Sequence, residues 1–530
     1  MTTAAPAPRT AARAGRPAGP SGGDDAASAG RSGWAGRGRF APGQLVAIGA
    51  AGSLLLLLGS LGSGAMPGYD LVEHLPVLSI YREGWVGLRV AMALTYLGLA
   101  ALGYAWLMLG RALLDGAGTD GTGPGAVPVR DLRRAALLWG APLLLAAPLF
   151  SRDLYSYAAQ AQIVHAGLDP YTATPADLPG RFLDEVAWRW VDSPAPYGPL
   201  WLMLGDLIAW ICGEGVMRTV FAIRLLGVAG VALCAWLLPI LARRVGARAD
   251  LALWLGVLNP MVLLHGIAGG HNDALMIGLA IAGLTVVAGA GPNRPLRRDL
   301  RLLAGGAALT ALAIAVKSPA AILLAFCVPL WAHQRREIAR LRMWALGSVT
   351  ALLSAAAAFA AVTLVSGVGL GWIKQVNTSI PVVNWLSLPT SAAMLWRALN
   401  GVGVSQRLDS TVEAFRLAGT IGTLAALAAC WLGARRWNPL VMCALGLAIT
   451  VLLGPSVQPW YYVWALTVVA VTGVMLRRRA VAGLAFASIA LTLTTLPEGS
   501  SIVGQPIPLT LVLLAAGWAS WAAFAPAPPR

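Results

Sequence analysis

Stretches of roughly 17 to 25 apolar residues follow one another along nearly the whole chain, each long enough to cross a bilayer as a helix. In lipid every backbone N–H and C=O must be satisfied within the protein, so only helices and closed barrels span membranes. The apolar runs are continuous rather than alternating, which excludes a β-barrel. Only 12% of the 530 residues are charged, about half the share of a soluble protein. A soluble enzyme, a disordered chain and a fibre are thereby excluded. The expected fold is all-α, a polytopic transmembrane bundle.

Fourteen spans are expected, near 43–62, 88–110, 134–150, 219–242, 250–267, 274–290, 301–316, 320–333, 343–365, 412–432, 438–454, 460–476, 480–496 and 507–525. A shorter apolar stretch, 199–212, contains Asp206 and is read as a re-entrant or interfacial helix. Residues 1–42 are rich in Ala, Gly, Pro and Ser with six arginines, the composition of a disordered basic tail. The remainder, 43–530, is the transmembrane domain.

The charge balance, 39 basic against 23 acidic residues, would suggest nucleic acid in a soluble protein. Here the arginines fall in short clusters between spans, at 130–134, 243–248, 294–301, 335–342, 435–436 and 477–479, so no nucleic-acid partner is expected. With the N-terminus inside, these clusters all face the cytoplasm, as the positive-inside rule requires, provided 199–212 does not cross. Both termini are then cytoplasmic, and two long segments, 151–197 and 366–411, lie outside. The five cysteines all sit in apolar segments and read as small core residues.

The residues able to do chemistry gather at the outer ends of the spans. Ser151-Arg152-Asp153-Leu154-Tyr155-Ser156-Tyr157 follows the third span. Ser151 can cap a helix over 152–166, with Asp153 in its first turn. Asp153 then serves as a capping acid or, ionised at a helix N-terminus, as a base. Pro196-Tyr197-Gly198-Pro199-Leu200-Trp201 precedes the short apolar helix, where Pro199 fits the first turn. Asn259-Pro260 should kink its span. The turn Gly269-Gly270-His271-Asn272-Asp273 brings three polar side chains together, as a plain turn or as a sugar or phosphate site. Lys317 is one of only two lysines, and at an outer helix end it either pairs with an anion or snorkels to the interface. Lys374 and Arg397 are further candidates for holding an anion. Gly454-Pro455-Ser456-Val457-Gln458-Pro459-Trp460-Tyr461-Tyr462 breaks a helix and supplies aromatic anchors. P-loop, Rossmann, HExxH and paired CxxC motifs are missing, so a nucleotide-dependent mechanism lacks motif support; no cofactor is expected, no firm metal site is read, and the metal requirement stays open.

The ordered set SRDLYSY, PAPYGPLW, NP and GGHND resembles the GT-C glycosyltransferases. Within them it is most similar to the actinobacterial polyprenol-phosphomannose-dependent α-1,6-mannosyltransferases of the MptA/MptB type, over roughly residues 45–525. An Arg-, Ala- and Gly-rich composition agrees with a GC-rich genome. The resemblance implies a GT-C-like bundle with its active site on the outer face of the cytoplasmic membrane. It implies inverting transfer of mannose from a polyprenyl-phosphate donor to a lipid-linked mannan acceptor, building the lipomannan and lipoarabinomannan core. Asp153 matches the catalytic acid in the first long outer loop. Arg152, Tyr155, Tyr197, His271, Asn272, Asp273, Lys317, Lys374 and Arg397 become candidates for substrate binding. The alternative is a transporter or flippase of a lipid-linked sugar, which calls for charged residues inside helices and inverted repeats.

Overall fold

The computed structural model describes residues 40–68, 79, 81–82, 84–116, 126–338, 340–375, 383–403 and 408–525. Nearly all of the expected tail, 1–42, and Asn377 in the second long segment lie outside these residues.

The regular secondary structure of the described residues is all helical, apart from a single isolated bridge between Thr495 and Ser501. In chain order the principal helices are α1 (Pro42–Ser63), α2 (Trp85–Gly116), α3 (Val129–Leu145), α4 (Asp153–His165), α5 (Pro199–Cys212) and α6 (Val216–Arg244). They continue with α7 (Ala249–Gly256), α8 (Pro260–Leu263, running into a π-turn at Leu264–Ala268) and α9 (Asp273–Val287). Then come α10 (Leu296–Ile314), α11 (Ala320–Gln334), α12 (Leu341–Ser366), α13 (Leu388–Leu399) and α14 (Ser410–Gly433). The last are α15 (Pro439–Leu453), α16 (Tyr462–Val469), α17 (Arg478–Thr492) and α18 (Pro506–Phe524).

Six of these, α1, α2, α6, α12, α14 and α18, are long and apolar enough to cross a membrane on their own. The bent pair α7–α8 makes a seventh if counted as one span. Each of the fourteen expected spans overlaps helix, several of them helices shorter than a full crossing, and α5 occupies 199–212, the stretch read as a re-entrant or interfacial helix.

Local chemistry sets the boundaries. Proline occupies the first turn of α1, α5, α8 and α15, where its missing N–H costs nothing. Asn259 ends one limb and starts the next: its Oδ1 accepts the Met261 N–H at 3.0 Å, and its Nδ2 donates to Ser488 Oγ at 2.8 Å. The expected kink is therefore present, a 54° bend between α7 and α8.

Two contacts hold the frame of the site. Trp106 of α2 and Trp254 of α7 stack with ring centroids 4.7 Å apart. Each indole N–H donates to the other residue's carbonyl, at 2.9 and 2.7 Å, so both buried donors are satisfied. Helix α6 meets α9 at Gly230, where a Cβ would lie 2.1 Å from the Ala274 carbonyl oxygen. Only glycine allows the backbones to approach that closely. All five cysteines are buried free thiols, as expected for core residues.

Candidate active site

Two helix N-termini meet at one end of the bundle. Helix α4 begins at Asp153 and α9 at Asp273, so each carboxylate sits in a first turn, where the helix dipole favours negative charge. The Ser151 hydroxyl accepts the Asp153 N–H at 3.0 Å, close to the capping role expected of it. The turn before α9 is held by the π-turn, with the His271 N–H donating to the His265 carbonyl at 3.0 Å. Gly270 has φ +58°, and a Cβ there would press on Leu154 at 2.7 Å. Glycine is thus needed both for the turn and for seating α4 against it.

The two carboxylates have different surroundings. Asp273 is sealed in, with 4% of its side chain exposed. Its Oδ2 is 2.7 Å from Lys317 Nζ, and its Oδ1 accepts the Trp464 indole N–H at 2.7 Å. Lys317 in turn lies over the Tyr461 ring, 4.8 Å from its centroid. Asp153 keeps 19% of its side chain exposed and faces a cleft of about 1140 Å³. Burial alone would raise its pKa. The His271 imidazole and the Lys317 ammonium outweigh burial and hold the carboxyl below its ordinary value. Asp153 is therefore an ionised, solvent-facing carboxylate at neutral pH.

Of the residues singled out from sequence, Arg152, Asp153, Tyr197 and Lys317 line the cleft. Arg152 is also tied back to Glu185, at 2.9 Å, and Glu185 accepts the Gly68 N–H at 2.7 Å. His271, Asn272 and Asp273 stand directly behind, each almost fully buried. Tyr155 points into the bundle, where its hydroxyl donates to the Ala65 carbonyl at 2.6 Å. Lys374 is exposed on the short turn Trp372–Gln375, and Arg397 pairs with Asp409. Neither lines the cleft.

The cleft also has walls not singled out as site residues from sequence. Arg416, whose Nε donates to Thr390 Oγ1 at 2.9 Å, comes from α14. Arg189, Trp188 and Trp190 come from the first long segment, and Trp385 from the second. Arg416 did carry a signal, being an arginine inside an apolar span. Among the described residues no group of three His, Cys, Asp or Glu side chains is placed to hold a metal ion.

Residues 46–333 match the family model described as alpha-(1->6)-mannopyranosyltransferase, N-terminal domain, and residues 389–525 match the MptB C-terminal domain. The chain belongs to the alpha-(1->6)-mannopyranosyltransferase family of the MptA/MptB type. It is 35% identical to alpha-(1->6)-mannopyranosyltransferase A of Mycobacterium tuberculosis, covering 86% of this chain and 84% of that protein. It is 32% identical to the protein of the same name from Corynebacterium glutamicum, covering 77% and 84%. A second alpha-(1->6)-mannopyranosyltransferase of M. tuberculosis is 34% identical, covering 79% and 77%. The family's N-terminal region contains Asp153, the His271 turn and Lys317, while its C-terminal region supplies Arg416, Trp460 and Trp464.

Proposed function

We propose that this protein is an inverting mannosyltransferase that moves mannose from a polyprenyl-phosphate donor to a lipid-linked α-1,6-mannan acceptor. Membership of the family supports the reaction class. The observation that carries the site is the contrast between the two carboxylates: Asp273 has both oxygens committed, and Asp153 faces the cleft ionised.

Asp153 is the general base. An acceptor hydroxyl is a poor nucleophile until its proton is taken, and a carboxylate within hydrogen-bond reach can take it as the C–O bond forms. The anomeric C–O bond to phosphate breaks on the opposite face and the polyprenyl phosphate departs, so a β-linked donor gives an α-mannoside. The leaving phosphate gathers negative charge, which a fixed cation stabilises. Lys317 offers three N–H donors, one directed at Asp273, and Arg152 and Arg416 line the same cleft. Tyr197, with Tyr157 and Trp201 packed edge-to-face around it, gives the donor end an aromatic wall. The base and the cations are protein side chains, so no cofactor enters this account.

The cleft opens on the outer face of the cytoplasmic membrane in this reading. The bundle is GT-C-like with fourteen crossings in residues 43–530, both termini are cytoplasmic, and the basic tail 1–42 lies inside. The arginine clusters, all placed on one face by that arrangement, support it.

The test is a cell-free assay with the full-length protein, radiolabelled polyprenyl-phosphomannose and short α-mannosides. Label should move to the mannoside in an α-1,6 linkage. An intact, membrane-inserted protein that transfers none, or that only moves the donor across the bilayer, would overturn the reading.

A further inference from the structure

Behind Asp153 lies a pair of histidines that the reaction as described does not use. His265 and His271 are each 1% exposed, and their rings are 5.7 Å apart. His271 is stacked on Trp460 with centroids 3.8 Å apart and planes 19° from parallel. No ring nitrogen of either histidine makes a hydrogen bond within the described residues. One of the four approaches a carboxylate: His271 Nδ1 is 3.5 Å from Asp153 Oδ2. A cavity of about 20 Å³ borders both rings, enough for one water, the usual partner of buried polar nitrogens lacking a side-chain one.

We propose that His271 is the positioning residue of Asp153, its ring fixed by Trp460 and its Nδ1–H directed at the carboxylate that takes the acceptor's proton. The inference rests on the reading of Asp153 as the base. His271 is too deeply buried to touch a sugar, and it does not line the cleft, so it acts through Asp153. Its ring is held on the far side by Trp460 and cannot swing away without breaking the stack. The 3.5 Å separation is long for a hydrogen bond in a resting site, and such contacts tighten when the acceptor is bound. The tautomer follows from the partner: a carboxylate facing Nδ1 calls for the proton on that nitrogen.

This corner holds other charged and titratable groups. Lys317, Asp273, His265, Tyr157, Tyr197 and Tyr461 all face it. They remain when His271 is replaced, so a change in the acid limb of the rate profile reports His271 itself. In His271→Ala, burial is opposed only by Lys317 and Ser151, and the Asp153 carboxyl rises. The acid limb of kcat/KM should therefore move to higher pH.

The experiment measures pH–rate profiles of full-length His271→Ala, His271→Asn and His271→Gln with polyprenyl-phosphomannose and a short α-mannoside. His271→Ala should lower kcat about 10²-fold, as a misplaced catalytic group does, with little change in donor KM. His271→Asn places an N–H near the Nδ1 position and should recover most of the loss, while His271→Gln should not. In an Asp153→Asn background, His271→Ala should cost nothing further. Loss of kcat with an unmoved acid limb, or an Asn variant no better than Ala, reduces His271 to packing and overturns the proposal. A raised donor KM at normal kcat makes it a substrate ligand and also overturns it. Should His271→Ala fail to fold, the comparison of Asn with Gln decides by the same criterion. If Asp153→Asn keeps wild-type turnover, the base assignment fails on its own, before any His271 variant is considered.

Discussion

Lys317 Nζ and Asp273 Oδ2 stand 2.7 Å apart, with only 12% and 4% of the two side chains exposed. The pair joins the end of α10 to the start of α9, and it makes one of the chain's two lysines part of the framework around Asp153. Breaking a buried pair from one side leaves an uncompensated charge and costs roughly 3–5 kcal/mol. Lys317→Ala and Asp273→Asn should each lower the unfolding temperature in detergent. The double variant Lys317→Met with Asp273→Asn should recover a large part of the loss. A double variant less stable than both single ones would show that the pair is not the stabilising element.

The same lysine faces the cleft, and the role proposed for it toward the donor separates from its role in folding. Lys317→Arg should keep most donor use, because a guanidinium also pairs with Asp273 and presents further N–H groups. Lys317→Ala should raise donor KM and lower turnover well beyond the Arg variant. Kinetics on folded protein check this, and equal donor KM in both variants would take the ammonium away from the phosphate.

Asp153→Asn keeps the shape and the first-turn position but loses the proton acceptor. Turnover should fall by about 10²–10⁴-fold, the usual cost of losing a general base, with the protein still folded and inserted. Asp273→Asn should do more to stability than to the chemical step. Normal turnover in Asp153→Asn beside an inactive but folded Asp273→Asn would exchange the two roles.

The pH dependence of the wild type follows from the sign of the shift. The Asp153 carboxyl is held below its ordinary value, so the ionised form persists to lower pH than in a free carboxylate. Turnover should be level from neutral into mildly acidic solution and fall only below the ordinary carboxylate range. An acid limb near pH 6 or 7 would point to a different group as the base.

Trp464→Phe keeps one aromatic ring but removes the pyrrole half of the indole, and with it the N–H that Asp273 Oδ1 accepts. A hydrogen bond to a charged group contributes about 1.5–3 kcal/mol. The variant should lose stability of that order and leave the acid limb of the rate profile where it was. Thermal unfolding and a pH–rate profile measure the two effects separately.

The helices were legible in the sequence because long apolar runs advertise themselves: each expected span overlaps helix, and Pro199 and Asn259-Pro260 mark breaks where the chain breaks. The three short motifs around Asp153, Tyr197 and His271 were visible as candidates but not as neighbours. What joins them is pairing between distant residues, such as Asp273 with Lys317 and Trp464, and no local pattern encodes that. Tyr155 shows the opposite limit. It sits in the same motif as Asp153, yet two residues along the helix, about 200° around it, turn its hydroxyl into the core. Arg416 and Trp385 reach the cleft from more than two hundred residues beyond Asp153 in the chain.

The bend at Asn259-Pro260 fixes a depth. Along the axis of α7, the nine residues from Pro260 to Ala268 would climb about 13 Å as straight helix. Turned by 54°, they climb about 8 Å. The turn that carries His271 and Asp273 is therefore recessed by about 5 Å relative to an unbroken span. Ser488, by holding Asn259, keeps it there. For the proposed donor, a sugar phosphate tethered to a lipid tail and unable to rise far from the headgroup plane, a recess of this size would bring the protein's reactive end to the lipid instead of asking the lipid to leave the bilayer.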